Sequence, residues 1–396
     1  MEETSNRINI ISFTKKGEAL AKRLSTYLLQ SQNGLAKKNE KIVNDIVEKI
    51  VDESKCIWVR CINKCRASEE YSSIRLSECA KESFEKRQGM IFIGAAGIAV
   101  RTIAPFLKDK LHDPFVIVID ENGDYVIPIL SGHVGRANEY ARMIAAFLDA
   151  QAVITTATDV SHCFAVDLFA QKNQYVIQNK EGIARVSSKT LAHEAITVHT
   201  MGEIVTLSFD GTVVKREPLQ KNQEATSNSM KMIVAQTDFA ASDSVFSDII
   251  ISPFIQDRKK GTLWLVPRCI VVGVGCRRGK ETTFIEQAIC ERLSACGIAK
   301  EAVGLITSID RKKDEKGLIE TAAQFHVEFA TFSEETLKQV PGTFSSSAFV
   351  EKTVGVDNVC ERSAMAAAPQ GTLLANKYAK DGVTVAIAMR AFSPLF

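Results

Sequence analysis

The sequence predicts an α/β protein with more than one domain, and three observations favour this fold class. Short apolar, strand-like runs alternate with amphipathic, helix-like segments along most of the chain. The chain has 396 residues, which is more than one core usually holds, since a domain takes roughly 150 residues. Hydrophobic residues make up 45% of the chain and charged residues 24%, which is typical of globular proteins.

Residues 1–163 are predicted to form a three-layer α/β amino-terminal domain. The strand-like runs are RINIISF, CIWVRC, MIFIGA and AVITTATD, and the pair FVIVID and YVIPIL predicts a hairpin closed by the turn signal ENGD. Helices are predicted at KGEALAKRLSTYLLQ, LSECAKESFEKR, GIAVRTIAPFL and Ala137–Leu148, and residues 31–50 are polar and helix-prone. This βα alternation favours a mainly parallel sheet between two helix layers.

The patterning changes after about residue 160. Residues 164–262 carry the shorter runs ITVHT, IVTLSF, TVVKR, IVAQTD and DIIISP around a polar stretch, which predicts a small α+β middle region. Residues 263–396 predict a separate α/β carboxyl-terminal domain. Its predicted elements are the strand LVPRCIVVGVG, the helix GKETTFIEQAICERLSACG, the strand AVGLITSID, the helices GLIETAAQFH and SEETLKQV, and the strand TVAIAMR.

Composition excludes several classes of protein. The formal net charge of +2 is too small for a nucleic-acid-binding protein. No apolar run approaches the roughly 18 residues of a membrane span, and the start MEETSNRINIISF is not a signal peptide. The ten cysteines form no CxxC pair, so no zinc site is indicated. We expect a cytoplasmic protein with reduced thiols, no metal of its own, and no affinity for membranes or nucleic acid.

The stretch VVGVGCRRGKE combines a glycine-rich turn with basic residues. Gly273, Gly275 and Gly279 fit neither the Walker spacing nor the dinucleotide-binding spacing, which weakens a nucleotide-dependent function. Free backbone N–H groups at a helix start, beside Arg277 and Arg278, would suit a carboxylate or a phosphate. A tight turn that needs small residues explains the glycines equally well.

The stretch FIGAAGIAVRTIAPFL places Gly94 and Gly97 at a strand-to-helix turn. Ligands of open α/β sheets bind at the carboxyl ends of the strands. Arg101 lies one helical turn beyond Gly97, among apolar residues. Two interpretations stay open, an anion clamp or a structural ion pair with Asp113 or Asp120.

The stretch IPILSGHVGRANEYA places a histidine on a glycine-flanked loop between a strand and a helix. We expect this loop to lie at a place equivalent to the GAAG turn, with Pro128 ending the strand pairing. Gly132 and Gly135 let the backbone turn and approach a ligand. His133 can carry a proton near neutral pH, although a histidine that only bridges loop backbone is the alternative. The neighbouring polar side chains are those of Ser131, Arg136, Asn138 and Glu139.

The stretch VITTATD is predicted as a strand end rich in hydroxyl groups, with Thr156 among them and Asp159 behind them. Such an end can bind an anion or orient a water molecule. It can equally start a helix with Asp159 as its N-cap. No G-x-S-x-G elbow occurs, so a hydrolase built on this chain would use an activated water.

Several of these stretches resemble one family. The continuous segment from GAAGIAVRTIAPFL through SGHVGRANEYA to VITTATD resembles the amino-terminal domain of the cobalt-precorrin-5A hydrolases of anaerobic cobalamin biosynthesis. The blocks VVGVGCRRGKE, SIDRKKDEKGL, VGVDNVCERSA and GVTVAIA resemble the carboxyl-terminal portion of that family. The resemblance covers about residues 90–160 and 268–390, and the middle segment fits only loosely. GAAG departs from the family at its second residue, where a bulkier side chain is expected.

The resemblance implies an activity and a substrate. The family opens the δ-lactone on ring A of a cobalt corrinoid and releases acetaldehyde to give cobalt-precorrin-5B. The substrate is an anionic corrinoid that brings its own cobalt, so no cofactor is expected. Neighbouring methyltransferases of the pathway are candidate partners. A non-catalytic corrinoid carrier, in which His133 ligates cobalt, is the alternative.

The resemblance also implies roles for individual residues. His133 would shuttle protons, with Glu139 and Asp159 as alternative bases. Arginines would clamp the acetate and propionate groups of the substrate, and Lys312 and Glu361 would serve in substrate contact or domain docking. The predicted substrate-binding residues are Gly94, Gly97, Arg101, Ser131, Gly132, Arg136, Asn138, Thr156, Arg277, Arg278, Lys312 and Glu361.

Overall fold

The computed structural model describes residues 7–32, 58–109, 112–218, 247–255, 261–345 and 356–396. These residues form three sheets, each flanked by helices, which confirms the predicted α/β class. They divide into two compact units, Met1–Ser161 with one sheet and His162–Phe396 with the other two. The division into three domains stays a prediction. The predicted strand IVAQTD and the helix-prone residues beyond 32 lie outside the described residues.

The first unit contains the predicted, mainly parallel sheet. Its strand order is β2-β1-β3-β4-β5-β6. Its strands are β1 (Arg7–Ser12), β2 (Trp58–Asn63), β3 (Gly89–Ile93), β4 (Val116–Ile119), β5 (Tyr125–Leu130) and β6 (Gln151–Ala152). Its helices are α1 (Lys15–Gln32), α2 (Leu76–Glu85), α3 (Ala96–Ile103), α4 (Ala137–Leu148) and α5 (Ala157–Val160). Apolar side chains of α1 and α4 pack on one face of the sheet and those of α2 and α3 on the other. The unit therefore has the predicted three layers.

The direction of β5 decides where the SGHVG loop lies. β5 pairs antiparallel with β4, so that Val116 faces Leu130 and Ile119 faces Val126. β6 runs parallel to β5, so both strands point toward the amino end of β4, and β5 ends there. The GAAG turn follows β3, which is parallel to β4, and lies at the opposite edge. The prediction that the two glycine loops occupy equivalent places is wrong, because the hairpin reverses the chain.

Two local predictions are also wrong. Pro128 does not end strand pairing: it lies inside β5, opposite Ile117. In the described structure β6 pairs only with Tyr125 and Val126, so Pro128 faces no neighbour on that side and its missing N–H breaks no ladder bond there.

The stretch VITTATD is not a strand through its threonines. β6 ends at Ala152, and a short helix begins at Ala157 with Thr156 as its N-cap. Asp159 is not the cap, because it lies within the first turn of α5. The carboxylate of Asp159 bonds instead to side chains outside α5, which are described below.

The second unit contains a six-stranded sheet in the order β10-β9-β8-β11-β12-β7 and a five-stranded sheet in the order β15-β14-β13-β17-β16. The strands of the six-stranded sheet are β7 (Tyr175–Ile177), β8 (Ile196–His199), β9 (Glu203–Leu207), β10 (Val213–Pro218), β11 (Ile249–Ile251) and β12 (Leu263–Pro267). The second sheet of the unit consists of β13 (Ile270–Cys276), β14 (Val303–Ile309), β15 (Glu328–Phe332), β16 (Thr372–Lys380) and β17 (Val383–Met389).

The helices of this unit are α6 (Val166–Lys172), α7 (Lys180–Leu191), α8 (Thr282–Ala295), α9 (Lys316–Gln324), α10 (Glu334–Gln339) and α11 (Val359–Ala366). The predicted single strand LVPRCIVVGVG is two strands, β12 and β13, and these belong to different sheets. In the described ranges, no helix combines the length and the apolar character needed to cross a membrane.

Candidate active site

The SGHVG loop is held by its own backbone. Ser131 and Arg136 adopt left-handed conformations, with φ of 55° and 64°. The N–H of Ala137 donates to the carbonyl of Ser131 at 3.1 Å, and the N–H of Asn138 donates to the carbonyl of Gly132 at 3.1 Å. These bonds take up the first N–H groups of α4, so the loop geometry is fixed before any ligand binds.

Close packing explains the second glycine of the loop. A Cβ at Gly135 would lie 2.5 Å from the Cβ of Ser131 and 2.9 Å from its carbonyl oxygen. The Ser131 hydroxyl donates to the carbonyl of Asp113 at 2.8 Å and is buried. Ser131 therefore anchors the loop to the segment that leads into β4.

The structure brings His133 against Asp159. Nε2 of His133 lies 2.6 Å from Oδ2 of Asp159, and the two side chains keep only 12% and 14% of their exposed area. The hydroxyl of Thr158 lies 3.2 Å from the same nitrogen. The imidazole is thus oriented by α5, the short helix that follows β6.

Two further side chains bond to the Asp159 carboxylate. Nδ2 of Asn138 donates to Oδ2 at 2.8 Å, and Nη2 of Arg142 donates to Oδ1 at 2.7 Å. The hydrogen bond from His133, followed by those from Arg142 and Asn138, holds the pKa of Asp159 well below its ordinary value, although partial burial opposes this. Asp159 is therefore ionised at neutral pH and suited to orient the imidazole.

Asn138 lies at the centre of this cluster. Its side chain is buried and donates to the hydroxyl of Thr156 at 3.0 Å as well as to Asp159. A Cβ at Gly132 would lie 2.9 Å from Oδ1 of Asn138. The loop glycine and the helix amide therefore fit together, and the amide connects α4 to α5.

Glu139 and Arg136 form a separate pair. Nε of Arg136 donates to Oε2 of Glu139 at 2.9 Å, and both side chains are partly exposed. Asp159, by contrast, is in direct hydrogen-bond contact with the imidazole of His133. Glu139 is therefore less well placed than Asp159 to act on that ring.

Sequence reasoning missed Arg142 and Thr158 as members of the site. Arg142 could have been found, because it follows Asn138 by four residues on the predicted helix and so shares its face. Thr158 is one of the hydroxyl residues of VITTATD, but only Thr156 was selected from that stretch.

Arg101 is exposed on α3. The predicted ion pair of Arg101 with Asp113 or Asp120 is not formed among the described residues. The carboxylate of Asp113 accepts from the N–H of Lys108, and that of Asp120 accepts from the N–H of Tyr125. Gly94 follows β3, and Gly97 is the second residue of α3. Both lie at the opposite end of the sheet from the SGHVG loop.

In the second unit, a carboxylate of the chain occupies the anion position that was predicted at the Gly279 turn. The N–H of Gly279 donates to Oε1 of Glu315 at 2.7 Å, and α8 begins only at Thr282. Oε2 of Glu315 pairs with Lys312 at 2.8 Å. The glycine N–H is therefore not open to a ligand, because an internal carboxylate already accepts from it.

Arg277 and Arg278 are exposed. Glu361 is fully buried in α11. Its oxygens accept from the N–H and the hydroxyl of Ser345, each at 2.8 Å, and from the N–H of Lys377 at 2.6 Å. In this structure Glu361 joins β16 to the segment after α10.

Comparison with known proteins places these residues in a family. The family model described as Cobalamin synthesis G N-terminal matches residues 78–159, and that described as Cobalamin synthesis G C-terminus matches residues 270–388. A cobalt-precorrin-5A hydrolase from Salmonella typhimurium is 34% identical over 309 residues, covering 78% of this chain and 84% of the relative. The chain belongs to the cobalt-precorrin-5A hydrolase family.

A second relative of this hydrolase family, from Priestia megaterium, is 33% identical over 311 residues and covers 77% of this chain and 79% of that protein. A solved structure of a cobalamin biosynthesis protein G homolog from Sulfolobus solfataricus is 19% identical, covers 98% of this chain and 99% of that chain, and superposes with a TM-score of 0.32.

Membership of the cobalt-precorrin-5A hydrolase family confirms the resemblance seen in the sequence. The chain is thus an enzyme of a hydrolase family of cobalamin synthesis. His133, Asn138, Arg142 and Asp159 all lie within the matched residues 78–159. The whole middle region, residues 164–262, lies outside both matched segments. Within the described ranges, no three His, Cys, Asp or Glu side chains are grouped as a metal site would require.

Proposed function

We propose that this chain is a cobalt-precorrin-5A hydrolase that opens the ring A δ-lactone and releases acetaldehyde, giving cobalt-precorrin-5B. The substrate is supported by the two relatives named for it, which this chain covers over 84% and 79% of their length. The observation that carries the chemistry is the 2.6 Å hydrogen bond between His133 and Asp159.

Lactone opening needs a base for water. Ionised Asp159 favours the tautomer of His133 that carries its proton on Nε2, and Nδ1 is then the basic nitrogen. The water oxygen bonds to the acyl carbon while its proton passes to the imidazole. The acyl carbon–oxygen bond then breaks, and the proton returns to the leaving oxygen, which becomes an alcohol.

Acetaldehyde release needs a second proton transfer. The new alcohol loses its O–H proton as its oxygen forms the carbonyl of acetaldehyde. The carbon–carbon bond to the macrocycle breaks, its electron pair passes into the macrocycle, and the macrocycle takes up a proton. An imidazole can accept the first proton and supply the second, so one residue serves both steps.

Asp159 and Glu139 are weaker candidates for the base. The Asp159 carboxylate already accepts from His133, Asn138 and Arg142, and its lowered pKa makes it a poor proton acceptor near pH 7. Glu139 pairs with Arg136. His133 therefore has the strongest support as the proton carrier.

Arginines support recognition of the acetate and propionate groups. Among the described residues, neither Arg101 nor the guanidinium of Arg277 has a hydrogen-bond or ion-pair partner, and both side chains are exposed. Guanidinium groups bind carboxylates well because two parallel N–H donors match two oxygens. The substrate brings its cobalt, and neighbouring methyltransferases of the pathway remain candidate partners.

A corrinoid carrier is the competing function, because metal-bound histidines commonly donate their other N–H to a carboxylate. Mixing the purified protein with excess cobalt-precorrin-5A and measuring acetaldehyde separates the two. A hydrolase is expected to release many equivalents of acetaldehyde per protein chain. Tight binding of the corrinoid without acetaldehyde would establish the carrier instead.

A further inference from the structure

Two basic loops meet at one edge of the five-stranded sheet. β13 and β14 are parallel neighbours, with Gly273 facing Thr307, so the loops that follow them leave the sheet side by side. Such neighbouring carboxyl ends are where open α/β sheets bind ligands. The cationic residues of the two loops are Arg277, Arg278 and Lys280 after β13, and Arg311, Lys312 and Lys313 after β14.

Glu315 fastens these loops together. Its side chain keeps 6% of its exposed area, and both oxygens are used. Oε1 accepts from the N–H of Gly279 in the first loop at 2.7 Å, and Oε2 pairs with Lys312 of the second loop at 2.8 Å. A buried carboxylate bonded across two loops fixes their spacing.

The arginines of the first loop lie outside this bonded layer. The N–H of Arg277 donates to the carbonyl of Gly382 in the turn between β16 and β17 at 3.2 Å, which fixes the backbone beneath its exposed side chain. Nη2 of Arg278 approaches the carbonyl of Arg311 at 3.4 Å. The two arginines are thus presented to solvent from a backbone that is anchored at two points, the N–H groups of Arg277 and Gly279.

We propose that the two loops form one receptor for the peripheral carboxylates of a tetrapyrrole, and that Glu315 is the positioning residue that sets the spacing of its cations. Glu315 does not itself touch the ligand. The ligand class rests on the proposed function, whereas the two-loop arrangement rests on the contacts above.

The charge of Glu315 and its positioning role predict opposite effects of its removal on anion binding. Removing a negative charge from an anion-binding edge strengthens anion binding if only the field matters. Replacing the charge-assisted bonds to Gly279 and Lys312 by neutral ones loosens the two loops. This weakens anion binding, because the cations are no longer held at one spacing. Glu334 supplies the matched control, since it pairs with Arg311 and Lys338 in partly exposed ion pairs and bonds to neither Gly279 nor Lys312.

The experiment measures binding of cobyrinic acid, a stable cobalt corrinoid that carries acetate and propionate groups, to the full-length protein. Glu315→Gln is expected to weaken binding by about tenfold, the effect of one charge-assisted bond. Glu334→Gln, with the same change in charge, is expected to bind as well as the wild type or more tightly. With cobalt-precorrin-5A, Glu315→Gln is expected to raise KM and leave kcat nearly unchanged.

Equal or tighter binding by Glu315→Gln would overturn the positioning role. If that variant does not fold, Arg277→Ala with Arg278→Ala decides the receptor, because neither side chain is buried. That double variant is expected to weaken binding by at least about tenfold, and wild-type affinity would reject the receptor. Acetaldehyde release by the wild type is measured separately, so a failed receptor and a failed hydrolase give different results.

Discussion

At the scale of single residues, Asp159 links the stability of the first unit to pH. Its folded-state pKa lies below the ordinary value of 3.8, chiefly through the hydrogen bond from His133. A lowered carboxyl pKa contributes stability that is complete above the unfolded pKa. That contribution is lost as the pH falls below about 4 toward the folded pKa.

Asp159→Asn is therefore expected to reduce the free energy of unfolding at pH 7 by about 1.5–3 kcal/mol, as for a lost hydrogen bond to a charged group. The variant should also lose less stability than the wild type between about pH 4 and pH 2. Thermal melting over that pH range measures both effects. Glu121→Gln is the control, since Glu121 is exposed and unbonded among the described residues, and an acid profile of Asp159→Asn identical to the wild type would contradict this role.

The sequence could nominate His133, Asn138 and Asp159 but could not pair them. His133 and Asp159 are 26 residues apart, and their contact depends on β5 and β6 running parallel to each other. The sequence also suggested that the Gly279 N–H was open to a ligand. Glu315, which accepts from it, lies 36 residues further along the chain, beyond the reach of any local pattern.

At the scale of elements, the loop before α4 tolerates no side chain at Gly135, because a Cβ there would meet Ser131 at 2.5 Å. Gly135→Ala is expected to cost about 1–3 kcal/mol of unfolding free energy, as overpacking does. Gly97→Ala is the control, since its Cβ would meet nothing within 4 Å and the site lies in helix α3.

Gly97→Ala should be neutral or stabilise by up to about 1 kcal/mol, because alanine is the better helix former. Urea unfolding of the two variants measures the difference. Equal stabilities would show that the packing of Gly135 against Ser131 does not constrain the loop.

Strong periodicity predicted most elements of the first unit, including α4 at its observed bounds. It failed in LVPRCIVVGVG, where one apolar run contains strands of two sheets. Both β12 and β13 are buried, and only Arg268 and Cys269 separate them. β16 was missed because it is an edge strand whose apolar residues do not alternate with its exposed ones, Thr372, Asn376 and Ala379. Neither hydrophobic nor alternating patterns mark such a strand.

At the scale of the whole molecule, the proposed reaction requires no nucleotide, and no metal besides the cobalt that the substrate brings. Full activity should survive exhaustive treatment with a chelator, provided that the corrinoid keeps its cobalt. The assay is acetaldehyde release before and after dialysis against the chelator, with the absorbance spectrum of the substrate as a check on its cobalt. Activity that is lost on chelation and restored by zinc, or activity that depends on ATP, would contradict this requirement.

Single-turnover rates of acetaldehyde release in His133→Gln and His133→Ala test whether His133 carries the protons of the reaction. Both variants should lower the rate by about 10²–10⁴-fold, the range for general acid–base residues, because glutamine can donate a hydrogen bond but cannot shuttle a proton. Binding of cobyrinic acid should change little. His133→Gln should keep most of the melting temperature, because its amide can donate to Asp159 in place of the imidazole, whereas His133→Ala loses that hydrogen bond. Near wild-type rates in His133→Gln would contradict the claim and leave Glu139 or Asp159 as the base, and early melting of both variants would make His133 a structural residue.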